Sequence, residues 1–455
     1  MSNQSADEIP PELSLRQRLI MLSAAFLGWM FAGLEIALFV LIHRPAMISL
    51  MVDDPIEGSP SMSPAEVEQF VKQWFAWYQA AFLFGAAAGG WVFGMLGDRK
   101  GRTYSLALSV LCYSLFTGAC YFASTPFELL VLRFLACLGI GGAWPNTVAL
   151  VAEAWPDASR PFLAGLLGTA ANVGQVLMGL IGLWCDVTSS SWRWVLLVGA
   201  SPAVIGLWCL RGVPESARWL SARVKRNSQS SGPLQELFRP PLRSRILLGI
   251  LLGAIPVIGT AANAQWIIPW TDQVAAQQST AANKRADGSV VSGSKTVKAD
   301  PKSKARTQIS RSSGAVFGSL LGGILATLLG RRLTYFIVSL LTLVASTIIF
   351  GWMNPLDPWF QFASFGFGLV GVIYFGWLPL YLPELFPTRV RATGAGISFN
   401  TGRVIAAFVV LGTGVLLGLV EGDYAKIGLW TGMIYAVGMI IILFAPRTDG
   451  SGLKE

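Results

Sequence analysis

One histidine in 455 residues, His43, leaves no His-rich metal site and no paired-histidine zinc motif to be read. A lone ring at the outer end of the first apolar run reads as an interfacial side chain. Charge is scarce too. Only 13% of residues are Asp, Glu, Lys or Arg against 53% apolar, which excludes a soluble pair of domains of this length. No Gly-x-x-x-x-Gly-Lys-Ser/Thr loop is present to cradle a nucleotide, so ATP-driven pumping has no engine. No nucleophile-and-base pair stands out either, and neither an enzyme nor a bound cofactor is expected. Gly139-Ile140-Gly141-Gly142 lies inside an apolar helix with no strand before it, so close helix packing explains it better than a dinucleotide turn. The five cysteines, Cys112, Cys120, Cys137, Cys185 and Cys209, fall in or at the ends of apolar runs and read as small packing residues without disulfides.

What is there is apolar and repeated. Gly94-Met95-Leu96-Gly97-Asp98-Arg99-Lys100-Gly101-Arg102 follows one apolar run, and Gly323-Ile324-Leu325-Ala326-Thr327-Leu328-Leu329-Gly330-Arg331 follows another 229 residues later. Glu153, Pro156, Arg160 and Gly165 recur as Glu384, Pro387, Arg391 and Gly396 at an offset of 231. The chain is a tandem duplication. A bilayer crossing needs roughly 20 mostly apolar residues, because backbone groups in hydrocarbon must bond within their own segment. Twelve stretches qualify, beginning near Leu19, Gln73, Tyr104, Glu128, Phe162, Trp192, Ile246, Ser312, Leu333, Trp359, Ala392 and Ile427. The expected architecture is all-α: twelve transmembrane helices in two pseudo-symmetric six-helix bundles, 16–212 and 246–446, with a cytoplasmic linker at 213–245. Residues 1–15 and 447–455 are expected as cytoplasmic tails, the first of them disordered. The first run is too long, and lacks the basic leader, for a cleaved secretory signal, so it is expected to be retained.

An even span count puts both termini on one side, and basic loops mark that side as cytoplasmic. The segment Arg211–Arg245 and the turns Arg99-Lys100-Gly101-Arg102 and Arg331-Arg332 share it by parity, while the stretch from Arg44 to Lys72 opposite them is acidic. The net charge of +9 therefore reflects orientation and calls for no nucleic acid. The stretch 273–311 is polar, low in complexity and basic, yet falls outside by parity; it reads as a disordered extracellular insertion, with a nucleic-acid patch as the sharper alternative. Trp192, Trp352 and Trp359 read as interfacial anchors.

Charges inside a bilayer cost at least ~2.5 kcal/mol each and are functional candidates by default. Glu35 lies about 24 Å into span 1 from the cytoplasmic end and Arg133 about 8 Å into span 4 from the outer end, so both occupy the outer third, within reach of one another. A carboxylate that is charged beside a guanidinium, and takes a proton when the two part in apolar surroundings, links conformation to protonation. The bland alternative is a static salt bridge holding spans 1 and 4 together. Arg403 falls about 17 Å into span 11, near the midplane, where a guanidinium fork suits an anionic solute. Its counterpart at an offset of 231 is Asn172, with Gln175 on the same helix face. The alternative is that Arg403 pairs with an internal carboxylate or with backbone carbonyls. Gln79, Asn263, Gln265, Trp266, Tyr374, Trp377 and Asn400 could complete a central cavity.

The Gly-Met-Leu-Gly-Asp-Arg-Lys-Gly-Arg turn resembles the loop between spans 2 and 3 of the major facilitator superfamily. Glu153-Ala-Trp-Pro156-Asp-Ala-Ser-Arg160, Pro214-Glu215-Ser216-Ala217-Arg218-Trp219-Leu220 and Pro383-Glu384-Leu385-Phe386-Pro387-Thr388-Arg389-Val390-Arg391 resemble that superfamily's sugar-porter motifs. The resemblance implies two six-helix bundles rocking about a midplane site. It places the proton-coupling acid at Glu35, since Ala32-Gly33-Leu34-Glu35 is similar to the sugar-porter span 1 pattern, and the span 4 motif arginine at Arg133. It implies a cytoplasmic charge lock of Asp98, Arg102, Glu153 and Arg160 in one lobe and Arg331, Glu384 and Arg391 in the other, weaker where Thr327 replaces the aspartate. Gly394-x-Gly396 with Asn400-Thr401-Gly402-Arg403 looks like the aromatic-acid and sialate or lactate branches, in which an acid often stands where this chain has Ala32.

The expectation is a proton-coupled secondary transporter of a small organic anion, a monocarboxylate, aromatic acid or acidic sugar, working as a monomer in the cell membrane with the bilayer and the solute as its partners. The proton is its coupling ion; no metal is implied. A neutral sugar or polyol is the alternative cargo. A solute receptor that does not transport is the alternative class, although the inner loops are too short for an output domain.

Overall fold

The computed structural model describes residues 13–53, 63–155, 160–216, 219–220, 237–240, 242–288, 300, 302–387, 391–419, 423–446 and 448. Among the described residues, twelve helices are long and apolar enough to cross a bilayer. The first lobe holds α1 (Leu15–Ile48), α2 (Pro64–Lys100), α3 (Arg102–Ala119), α4 (Pro126–Ala154), α5 (Arg160–Trp184) and α6, which is broken into Arg193–Ala200 and Ala203–Gly212 at Ser201-Pro202. In the second lobe α7 runs from Leu242–Ile258 through an unwound stretch, Gly259–Asn263 and Ala264–Trp266, into Ile267–Gly288. It is followed by α8 (Ser303–Leu328), α9 (Arg331–Trp352), α10 (Phe360–Glu384), α11 (Arg391–Leu419) and α12, made of Tyr424–Gly432 and Ile434–Ile442. The terminal tails and most of the linker 213–245 lie outside the described residues.

Local sequence sets the helix ends. Ser14 and Ser63 open α1 and α2 with capping boxes, their hydroxyls accepting from the N–H of Gln17 and Glu66, whose side chains reach back to the cap backbone. Two glycines make the repeated turn between α2 and α3 and between α8 and α9: Gly101 at φ 118° and Gly330 at φ 82°, where a side chain would be strained.

Duplication is visible in the packing. Lipid gives apolar helices little reason to associate, so small residues must let backbones approach closely. In the first lobe Gly85 and Gly89 of α2 lie on the carbonyls of Phe134 and Leu138 in α4; in the second Gly314 and Gly318 of α8 lie on those of Phe365 and Leu369 in α10. Gly139 and Gly141 serve likewise, against α3 at Ser109 and Tyr113 and against α2 at Ala86. The lobes meet where α2 packs on α11 and α5 on α8, a pair related by the same repeat.

Three expectations need correction. The stretch 273–311 is not one disordered insertion, because α7 continues to Gly288 and α8 begins at Ser303. Lys304, Thr307, Gln308 and Arg311 are buried there, so the helix is stabilised by polar partners in the protein interior, where hydropathy shows no signal. His43 is no interfacial ring: it is 2% exposed, edge-on to Phe75 at 4.9 Å. Trp192 is buried beneath Arg193, whereas Trp352 and Trp359 are exposed as anchors should be. All five cysteines are free.

Candidate functional site

Glu35 and Arg133 meet inside the first lobe. Burial of α1 on every side carries Glu35 to full inaccessibility, and Arg133 of α4 is nearly as buried. One carboxylate oxygen, Oε2, accepts a 2.7 Å hydrogen bond from the Thr117 hydroxyl of α3 and lies 3.9 Å from Arg133 Nη1. The other, Oε1, has no hydrogen-bond partner and faces Gly199 of α6, where a methyl group would collide with it. Arg133 spreads its guanidinium over Phe39 at 4.1 Å, and its Nη1 makes no hydrogen bond. The pair is loose, held by apolar faces more than by direct contacts.

Arg403 and Asn172 hold equivalent places at the lobe boundary. Arg403 Nη1 donates to the Ala86 carbonyl of α2 at 3.2 Å and to Asn400 Oδ1 at 3.3 Å, with its plane over Phe399. Asn172 donates to Ser319 of α8 at 2.8 Å and to the Gly168 carbonyl at 3.2 Å. Gln175, one turn along α5, accepts at Oε1 from three groups of α8: Arg311 at 3.0 Å, Gln308 at 3.2 Å and Ser312 at 3.3 Å.

The remaining candidates separate into two groups. Gln79 Nε2, Gln265 Oε1 and Trp266 Nε1 are buried without hydrogen-bond partners. Gln79 shares a cavity with room for about one water with Phe75, His43 and Arg133, and Trp266 packs against Phe75 across the lobe boundary at 4.8 Å. Asn263, Tyr374 and Trp377 are not brought to that boundary. Asn263 ties the unwound part of α7 to Gly428, Thr431 and Ser346, Tyr374 bonds Ser339, and Trp377 donates to the Arg331 carbonyl, so their polar atoms are used within the second lobe.

At the end carrying the repeated turns, the motif charges pair within each lobe. Arg102 reaches Asp98 at 2.6 Å and Glu153 at 3.3 Å, and Arg331 grips Glu384 at 2.8 Å. The side chains of Arg160 and Arg391 lie outside the described set. At the opposite end Arg44 of α1 pairs with Glu68 and, across the lobes, with Asp272 of α7 at 3.7 Å, and Lys304 of α8 lies 3.9 Å from that aspartate. Lys304 also donates to the first lobe at the Val187 carbonyl.

Sequence reasoning missed Arg311, Gln308 and Glu215. Glu215 accepts from the backbone N–H groups of Arg102 and Thr103 and so caps α3. Gln308 had a signal: it stands 229 residues after Gln79, the offset of the repeated turns. Each glutamine is buried with one amide atom unpartnered.

Residues 20–276 match the model of the Major Facilitator Superfamily. The chain is 29% identical over 378 residues to the probable 4-methylmuconolactone transporter of Cupriavidus pinatubonensis, covering 81% of each chain. It is 25% identical over 339 residues to the cis,cis-muconate transport protein of Acinetobacter baylyi, covering 73% of this chain and 76% of that one. Its fold is similar to the partially occluded inward-open xylose transporter XylE from E. coli, with a TM-score of 0.68, 16% identity, and 96% of this chain matched to the whole of that one. The repeated turns, the twelve spans and this match agree: the chain belongs to the major facilitator superfamily and is a membrane transporter, not an enzyme.

Proposed function

We propose that the protein is a proton-coupled symporter of a small organic acid, working by alternating access as a monomer in the cell membrane with both termini cytoplasmic. The observation that carries this is the state of Glu35: wholly buried, with one neutral donor at Oε2, an arginine at 3.9 Å and a bare Oε1. A tight salt bridge would serve stability alone, whereas a loose pair can be parted by a small helix movement, and the carboxylate left behind in apolar surroundings takes a proton. The relatives named for muconate and methylmuconolactone support the organic-acid class. Positive-inside orientation makes the turn end cytoplasmic. The Arg44–Asp272 contact across the lobes then fits a state closed to the outside.

The test is uptake of labelled cis,cis-muconate, benzoate, lactate, sialate and glucose into proteoliposomes, with and without an inward proton gradient. Accumulation of an acid that collapses with the gradient is expected. Glu35→Gln should abolish accumulation but retain exchange of labelled for unlabelled solute. Uptake of glucose alone transfers the protein to the neutral-sugar class, and binding without flux makes it a receptor.

A further inference from the structure

Resting on the organic-acid reading, we infer that the substrate's carboxylate is seated at Arg311 of α8, against Gln175 of α5, and not at Arg403. Arg311 is 4% exposed, its Nε has no hydrogen-bond partner, and among the described residues no carboxylate lies within ion-pair distance of it. A guanidinium in that condition calls for an anion, because removing it from water without a counter-charge is unfavourable.

The donors around it point the same way. Arg311, Gln308 and Ser312 all converge on Gln175 Oε1, an amide oxygen with two lone pairs. Gln308 also donates to Ser312 Oγ at 2.7 Å, which leaves Arg311 Nε as the donor of this cluster without a partner. A carboxylate has about four acceptor sites and matches the planar fork of arginine at two points, so it would engage the Arg311 Nε that Gln175 leaves unpaired. Arg403, by contrast, already commits Nη1 to the Ala86 carbonyl and Asn400 and lays its plane on the Phe399 ring.

Position supports the assignment as well. Gln175 and Arg311 belong to opposite lobes, so a solute between them is gripped by both and its affinity changes as they rock, which coupling requires.

Purified full-length protein in detergent, probed with benzoate and cis,cis-muconate, decides the matter through ligand-induced thermal shifts and half-saturation in counterflow. Arg311→Lys should weaken half-saturation about tenfold or more, since an ammonium cannot reproduce the two-point grip. Gln175→Glu supplies Arg311 with an internal carboxylate. That variant should melt no lower than wild type and yet lose the benzoate-induced shift, an outcome that a purely structural arginine does not produce. If wild type binds and moves an organic acid while both variants keep its affinity, the seat is elsewhere and the transport reading stands. If wild type neither binds nor moves any acid in the panel, the transport reading fails and takes this inference with it.

Discussion

Arg403 of the second lobe and Asn172 of the first occupy one position of the duplicated chain, and each reaches across the lobe boundary, Arg403 to the Ala86 carbonyl and Asn172 to the Ser319 hydroxyl. The two bonds fasten the α2–α11 and α5–α8 contacts that the proposed alternating access would have to slide. Replacing such a fastener changes how readily the lobes move before it changes what they hold. Arg403→Lys should therefore alter the maximal exchange rate by about threefold or more while half-saturation moves less than about twofold, consistent with a hydrogen bond worth ~1 kcal/mol net. Counterflow at several solute concentrations separates the two parameters, and a large rise in half-saturation would return the binding role to Arg403.

Gly199 leaves just enough room for the bare oxygen of Glu35. A methyl group at that position meets Glu35 Oε1, the Thr117 methyl and Leu38 at once. Overpacking in such a site costs about 1–3 kcal/mol, so Gly199→Ala should lower the unfolding midpoint in detergent. It should also displace the pH dependence of uptake, because the carboxylate is pushed relative to Thr117 and Arg133. An unchanged midpoint together with an unchanged pH profile would show that α6 does not confine the glutamate.

Much of this arrangement was legible in the chain, for physical reasons. Hydrocarbon demands long apolar helices, so the spans are written as runs, and duplication writes the turns Gly101 and Gly330 twice. A buried carboxylate is costly enough that Glu35 and Arg133 stand out, and helix rise alone puts them at one depth, where the structure brings them to 3.9 Å. The beginning of α8 was not legible: Lys304, Gln308 and Arg311 are polar because they bond to the other lobe, Thr307 because it bonds Thr271 and Gln361 in its own, and hydropathy cannot separate such a helix from a loop. Nor could spacing show that Asn263, Tyr374 and Trp377 turn inward to Ser346, Ser339 and Arg331, since that depends on the unwinding of α7 and on which face α9 presents.

The ion pairs at the Arg44 end offer a test of conformational state. Asp272 lies between Arg44 and Lys304, partly buried, so Asp272→Asn removes the carboxylate that these two cations share. A partly buried pair is worth about 1 kcal/mol, enough to raise the population open at that end about fivefold. With Cys185 replaced by serine, a cysteine introduced at Val40, which lines the cavity beneath these charges, should react correspondingly faster with a membrane-impermeant thiol reagent. Equal labelling in the two backgrounds would mean that the pairs do not hold the end shut.

At the opposite end the capping of α3 by Glu215 ties the segment after α6 to the turn between α2 and α3. The carboxylate accepts from the Arg102 and Thr103 amides at about 3 Å and lies against Gly101, while Trp219 donates to the Asp98 carbonyl. A negative side chain at a helix N-terminus is favoured by the exposed N–H groups and the helix dipole, and losing a cap costs ~1 kcal/mol, up to about 2. Glu215→Gln should keep part of that, because its amide oxygen still accepts, whereas Glu215→Ala should lose all of it. Gly101→Ala should be harsher than either, since the new methyl enters the carboxylate's space on a backbone at φ 118°. The expected order of unfolding midpoints is wild type, Glu215→Gln, Glu215→Ala, Gly101→Ala. Transport should fall in the same order, because this turn carries the Asp98–Arg102–Glu153 pairs that the proposed rocking of the lobes requires to stay assembled.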